Sequence, residues 1–555
     1  IRLEALLSKG YFPKELPPAF TTEDYGSNSL DILSDWEKAN LFEKNSKGKY
    51  KKKNGSYGYK LGHAEIEAIS TPKRGYERRN VHITHPIPQG LLAFELSFNW
   101  KAVQKWLSRQ TFSMDEIRVS KKYARSIKGI NFNLHRVKKG YIEATADWLV
   151  KTDITRFYPS IYTHSISWAA YGKEKVKGNL KGYEGSLADR LDLLVRSCNR
   201  NQTVGIPIGP ETSRILAEII SSRIDFDYLS SSDKKLSTDI DRLQDDWFVG
   251  LKDLESAQAA LASIVSVYRS YGLDINGSKT FISRVVSHSE EAWISELGSF
   301  LSHRPGPLTG TRLREFLTLV LRLQAEHEKQ AVTNYALAVL ENHKTSLADV
   351  EILESFLLKA AIVSPGSMSR ICELLINLDF NTKRVSKKRI GDRFTELAVR
   401  NLINGNIYEA IWQIYTIRGL GINMKTSKIA ELAKSIPSSA LALVLLDLDS
   451  RGLCTSVLPK SHWEDELSAE RVKNDWIWLL AYEGFRHGWL HDKKSIMSEP
   501  FFDAMNSRGV VFYDPKRNVP KTAKTVKMRI RQRSWSRKAV ARFLLNHRGF
   551  DADHY

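Results

Sequence analysis

The apolar positions of this chain follow three regimes. Up to about residue 80 they keep no steady period, and the Pro-rich segment FPKELPPAF (Phe12 to Phe20) predicts irregular structure. Between residues 81 and 310 short β-like runs are mixed with helical ones. DWLVKTDI (Asp147–Ile154), DRLQDDWFVGL (Asp241–Leu251) and KTFISRVV (Lys279–Val286) predict strands, whereas ETSRILAEIISSRI (Glu211–Ile224) repeats apolar residues at helical spacing. From 311 to 505 the strand signal fades. Segments such as TLVLRLQAEHEKQAVTNYALAVLENH and EILESFLLKAAIV keep the helical period, broken near Pro365, Pro437 and Pro459. The expectation is an α+β part (81–310) behind an irregular extension (1–80), then an all-α array of helix pairs with no fixed repeat length (311–505). A basic tail (506–555) with a helix near Arg537–Asn546 ends the chain.

Composition narrows the class. At roughly 100–200 residues per domain, 555 residues suggest two to four domains. Apolar residues at 42% and charged ones at 26% exclude disorder over most of the chain. The longest apolar stretch, Ala440 to Leu446, is far shorter than the ~20 residues that span a bilayer, so no membrane helix is expected. The opening IRLEALLSKGYFPKELPP lacks the signal-peptide pattern. Cys198, Cys372 and Cys454 lie far apart, form no ligand spacing and suit a reducing cytoplasm.

Charge points to a polyanion. Lys and Arg number 83 against 63 Asp and Glu, a net charge of +20. The excess is concentrated. Lys44–Lys60 holds seven lysines and no acid, with Tyr50, Tyr57 and Tyr59 among them; Arg118–Lys139 holds eight basic residues and no acid. Lys516–Arg548 holds twelve, again without an acid, around Trp535. Cations interleaved with aromatic faces suit single-stranded nucleic acid, although a lysine-rich loop such as Lys44–Lys60 is also what a solvated surface looks like.

The candidate chemistry lies in three acids. Asp245 and Asp246 are the only adjacent Asp pair in the chain, between Leu243 and Trp247-Phe248-Val249. Such flanks predict two short strands with the acids at the turn. Acid pairs are also common in exposed turns, so the pair alone decides little. Asp153 ends the apolar strand WLVKTDI and runs into TRFYPSIY. Three carboxylates from two strands are hard oxygen ligands for two Mg²⁺ ions, with Mn²⁺ able to substitute, bridging a nucleoside triphosphate. Between the acids lies GIPIGPETSRILAEI, in which Gly205, Pro207, Gly209 and Pro210 predict a tight turn and Ser213 falls in the first turn of the following helix. After them comes YGLDINGSKT, whose Lys279 is placed to meet a triphosphate or protonate pyrophosphate.

Taken in order, DITRFYPSIY, GIPIGPETS, LQDDWFVG and GLDINGSKT resemble the palm of a reverse transcriptase over roughly residues 70–300. The wording FYPSIYTHSI and the opening GYFPKELPPAFTTEDY are similar to the bacterial abortive-infection and defence-associated (unknown-group) reverse transcriptases. The resemblance implies fingers and palm over 81–310 and an RNA-directed DNA polymerase that acts in antiviral defence. It implies Asp153, Asp245, Asp246 and the Ile154 carbonyl as metal ligands, and Tyr158 as the ring that blocks a ribose 2′-hydroxyl, hence dNTP substrates. Gly205 to Ser213 match the segment supporting the incoming nucleotide, and Lys279 the late-palm lysine; Arg125 and Lys128 are candidates for the triphosphate grip. Implied partners are a non-coding RNA and the DNA product, a second reverse transcriptase subunit as in the two-polymerase defence systems, and further copies in an oligomer.

Three positions depart from the family pattern. Leu243 replaces the usual aromatic, Ile208 the usual Gln, and Ser213-Arg214 the usual Ser-Pro. That Gln normally packs near the template, so its loss points to an unconventional template or none; some members of the class prime from a protein hydroxyl. Two other readings remain in view. One is an idle polymerase fold that only binds RNA. The other is a helical-domain RNase using Arg486-His487 and His491, although Arg542 and His547 match the same spacing and chance alone supplies such pairs. A mobile-element enzyme would call for a Cys/His metal cluster, which the sequence does not show.

Overall fold

In a computed structural model, the described residues are 1–45, 58–73, 75, 77–109, 112–231, 239–287, 292–303, 306–342 and 346–520. Most of the lysine-rich loop and the tail beyond residue 520, with Trp535, Arg542 and His547, lie outside them.

Among the described residues the strands form three small sheets in a helix-dominated molecule. Strand β1 (Phe42–Asn45) pairs antiparallel with β2 (Gly58–Leu61), and β3 (Glu67–Pro72) with β4 (Arg78–Ile83). The third sheet has four antiparallel strands in the order β6-β7-β5-β8: β5 (Trp148–Thr152), β6 (Ile240–Leu243), β7 (Asp246–Leu251) and β8 (Phe281–Arg284). Alternation of side chains gives it two apolar faces. Val150, Trp247 and Val249 enter the main core, while Leu149 and Phe248 pack on Ile142 and Ala146 of and beside the helix Phe132–Thr145.

The Pro-rich segment Phe12–Phe20 carries no helix or strand, but the described residues before 80 are not irregular throughout. They carry the helices Arg2–Ser8, Glu23–Ser27 and Ser29–Lys38 besides two hairpins. These helices are too short to show a period, and their support is remote in sequence. Trp36 Nε1 donates to the Phe501 carbonyl at 3.0 Å, and the Thr21 N–H to that of Phe512 at 2.9 Å. The Tyr25 ring meets those of Tyr11 and Phe512.

After residue 291 the described residues form helices and no strand, among them Gly310–Glu326, Lys387–Ile403, Ile407–Leu420 and Ser439–Ser450. Ala440–Leu446 is buried within the last of these, and no helix is long and apolar enough to cross a membrane among the described residues. One apolar core runs from Leu3 to Val519. The helices brace β3 and β4. Arg78 forks onto Glu409 at 2.7 and 2.8 Å, and buried Glu67 accepts from Ser438 Oγ at 2.6 Å and the Ala440 N–H at 3.1 Å. Residues expected to begin a basic tail are partly core, since Val510, Phe512 and Tyr513 are buried and the Tyr513 hydroxyl donates to Asp447 at 2.8 Å.

His135 ties the sheet to its covering helix. Its Nδ1 meets Asp241 of β6 at 2.9 Å and its Nε2 meets Asp115 at 2.9 Å. Burial alone would pull its pKa down, but the hydrogen bonds and charges of Asp115 and Asp241 raise it to about 9. The unfolded value is about 6.5, so the stabilisation is complete below that pH and is lost as pH rises through 9. Denaturant midpoints should fall over that window by the equivalent of about 3 kcal/mol, and His135→Gln should flatten the slope. An unchanged slope in the variant would assign the pH dependence elsewhere.

Candidate active site

Asp153 directly follows β5. Its own carbonyl accepts from the Asn276 N–H at 2.7 Å, and the Thr155 N–H donates to Asp274 at 2.9 Å. This pairing uses the peptide groups on either side of Ile154, whose carbonyl takes no part in it. Asp245 lies in the β6–β7 turn and Asp246 opens β7. Gln244 makes the turn possible by adopting a left-handed backbone (φ 58°). The hairpin is anchored from behind. Arg242, fully buried, reaches Asp225 at 2.8 Å, Glu218 at 2.7 Å and the Gln244 carbonyl at 2.7 Å.

The two strands bring the acids together. Asp153 and Asp245 are buried, and their carboxyl groups lie within hydrogen-bonding reach of each other. Burial pushes the Asp245 carboxyl well above the ordinary carboxylate range, and the charges of Asp246 and Asp153 push it further. Its Oδ1 is buried with no donor. Lys279, on the turn before β8, meets Asp153 Oδ2 at 2.7 Å. Burial lowers the Lys279 pKa, but Asp153, Asp246 and Glu77 outweigh it, and the net shift is upward.

Among the described residues no group of three His, Cys, Asp or Glu side chains is already spaced to hold a metal ion. The donor set nevertheless suits one. A buried carboxylate oxygen lacks any donor, a second acid crowds it, and Lys279 pairs with Asp153 beside it.

These groups open into a cleft of about 630 Å³. Asp153, Ile154, Tyr158, Gly205, Pro207, Asp245 and Lys279 all line it. Tyr158 is buried, and burial pushes its phenol above the ordinary tyrosine range. Its carbonyl accepts from the Ile206 N–H at 3.0 Å, which fixes the ring beside the Gly-Pro segment. Gly205 has φ +88° and a Cβ there would stand 3.2 Å from the Pro159 carbonyl oxygen; at Gly209 (φ +126°) it would stand 2.8 Å from Pro13. Both positions therefore need glycine.

Other sequence candidates fall elsewhere. Gly209 and Ser213 do not line the cleft; Ser213 is buried in the first turn of the helix Glu211–Ser231. Arg125 is spent inside the protein, where it donates to the Phe12 and Gly209 carbonyls at 2.7 and 2.9 Å and to Glu211 at 3.1 Å. Lys128 is exposed away from the cleft. The cleft's cations come instead from Lys73, Arg78, Arg79 and Arg156. Lys73, Arg78 and Arg79 fall in the stretch whose sequence predicts irregular structure, where the clue was the alternation in RRNVHI; Arg156 lies in the TRFYPSIY segment after Asp153.

In the helical part, Arg486 and His491 are held by different partners. Arg486 donates to the Val510 carbonyl at 3.2 Å, and His491 meets Glu464 at 2.9 Å. His487 bonds the Tyr513 carbonyl and Glu483. Arg486 and His487 are half-buried at the end of the helix Trp478–Arg486, whereas His491 lies beyond it and is exposed.

No family model and no curated protein sequence matches the chain. Among solved structures it is similar to a telomerase from Candida tropicalis truncated of its C-terminal domain, at 14% identity and a TM-score of 0.27, over 49% of this chain and 57% of that one. This chain thus spans little more than half of that protein's length. It is also similar to Candida albicans telomerase in complex with a TWJ fragment of telomeric RNA, at 13% identity, a TM-score of 0.27, and 77% and 69% coverage. Apo telomerase from Candida tropicalis aligns at 11% identity and a TM-score of 0.29, over 78% and 74%. At TM-scores this low the likeness does not establish a shared fold, and the functional reading rests on the cleft's own geometry.

Proposed function

We propose that this chain is a nucleotidyltransferase of reverse-transcriptase type, an RNA-directed DNA polymerase that adds dNTPs to a 3′-hydroxyl or a protein hydroxyl in antiviral defence in the cytoplasm. The observation that carries the chemistry is the meeting of Asp153 and Asp245 beside Lys279 in a cleft that also holds Tyr158. The defence role, a non-coding RNA partner and a second polymerase subunit rest on the motif wording alone.

In this reading Asp153, Asp245, Asp246 and the Ile154 carbonyl would hold two Mg²⁺ ions. Such ions lower the pKa of the attacking hydroxyl and neutralise charge on the phosphates. The attacking hydroxyl gives up its proton to solvent water as its oxygen bonds the α-phosphorus and the bond to the leaving pyrophosphate breaks. Lys279, charged and released from Asp153, gives the pyrophosphate its proton. Arg79 and Arg156 line the cleft and draw phosphates in. The Tyr158 ring fills the space a 2′-hydroxyl would need.

The test supplies purified chain with each labelled dNTP and Mg²⁺ or Mn²⁺, with and without co-purified RNA. Incorporation that chelation abolishes is expected; none under any condition would reject the proposal. Tyr158→Ala should raise the ratio of NTP to dNTP use about tenfold or more. That ratio is insensitive to how much of the variant folds, so an unchanged ratio removes the gate role from Tyr158.

One observation favours a second reading, an idle fold that binds RNA. The Lys279 ammonium already neutralises Asp153. RNA binding without synthesis, unaffected by Mg²⁺, would support it.

A further inference from the structure

Ile208 stands where the resembled family carries a Gln, so the cleft lacks that polar side chain. The ring of His82 lies against the same peptide. The Ile208 N–H donates to His82 Nδ1 at 2.9 Å, and the His82 N–H donates to the Ile208 carbonyl at 2.7 Å. This reciprocal pair joins β4 to the Gly-Pro segment. It also settles the tautomer. Because Nδ1 accepts, the ring proton sits on Nε2. Burial holds the His82 pKa down to about 4, so the ring is neutral at working pH. Nε2 has no partner among the described residues, and the ring lines the cleft together with Asp153, Asp245 and Tyr158.

We propose that His82 is a binding residue whose Nε2–H donates to an acceptor on a nucleotide unit held in the cleft, either the incoming triphosphate or a residue of the strand beside it. A neutral donor fits this wall. It orients an acceptor without adding to the charge already supplied by Arg79 and Arg156, and it discriminates by geometry. The proposal rests on the polymerase reading and names a further residue for it.

Two variants divide the ring's roles. In His82→Asn the amide oxygen can stand near the Nδ1 position and keep the Ile208 bond, while the distal donor is lost. In His82→Gln the amide reaches the Nε2 position, while the Ile208 acceptor is lost. The probes are a fluorescent dATP with Mg²⁺ and, separately, a single-stranded ten-nucleotide oligomer, read by anisotropy on the full chain alongside thermal unfolding. His82→Asn is expected to unfold as the wild type does but to bind one of the probes about tenfold more weakly, and the affected probe identifies the source of the acceptor. His82→Gln is expected to unfold at lower temperature and to retain more of that affinity. Wild-type affinity of His82→Asn for both probes would overturn the assignment and leave the polymerase reading standing. Failure of the wild-type chain to bind either probe would overturn both.

Discussion

Replacing Asp245 by Asn is expected to abolish dNTP incorporation, by about 10³-fold or more, without loosening the fold. The physical reason is the site's crowding. Asp245 is buried beside two other acids, one of its oxygens has no donor, and its ionised form is disfavoured where it stands. Asn keeps the shape and removes the charge, so the variant should unfold at the same temperature as the wild type or above it. On the proposed polymerase reading, what the variant loses is the ability to hold a cation against the phosphates. An incorporation assay and a melting curve on the same preparation read the two effects. Wild-type incorporation by Asp245→Asn would discard this assignment of the site.

Arg242→Met should have the largest effect on stability. Arg242 is fully buried, and its guanidinium reaches Asp225, Glu218 and the Gln244 carbonyl at once. Burial would lower its pKa, yet Asp225 and Glu218 hold it well above the ordinary arginine range. Removing one partner of such a set leaves a buried carboxylate uncompensated and costs about 3–5 kcal/mol. Burial already raises the Asp225 pKa with Arg242 beside it, and without Arg242 it will rise further. For an acid with a raised folded-state pKa, stability falls as pH climbs past the unfolded value of about 3.9, so the deficit of Arg242→Met should widen with pH. Denaturant midpoints at pH 5 and pH 8 check this. Asp225→Asn in the same background should recover part of the loss; no recovery would place the cost elsewhere.

What could be read from sequence follows from range. The strands around the acids are dictated locally. Short β-like segments flank Asp245-Asp246 and precede Asp153, and β5, β6, β7 and β8 fall within Asp147–Ile154, Asp241–Leu251 with Ile240 before it, and Lys279–Val286. The 21-residue helix Glu211–Ser231 is long enough for its period to show. The convergence of Asp153 on Asp245 was not legible from spacing, because about 90 residues separate them and only motif order connected them. Arg125 shows the opposite failure. A cation in a basic stretch looked available, yet three internal acceptors consume its guanidinium. The alternation in RRNVHI marks β4, but the place of His82 and Arg79 at the cleft depends on β4 meeting the Ile208 peptide, 126 residues from His82, which no local pattern shows. The same holds at the chain's start, where Trp36 answers to Phe501.

The bonds from Glu67 to Ser438 and from Arg78 to Glu409 have a consequence for how the chain can be dissected. The hairpin that carries Arg79 and His82 leans on the C-terminal helices as a door leans on its frame. A fragment ending near residue 310 would leave that hairpin unsupported and its buried glutamate without those donors, so the cleft cannot be cut out intact at that point. By the same linkage, a molecule that displaced the helix Ser439–Ser450 would retract one wall from the acids and act as a throttle on the cleft without entering it.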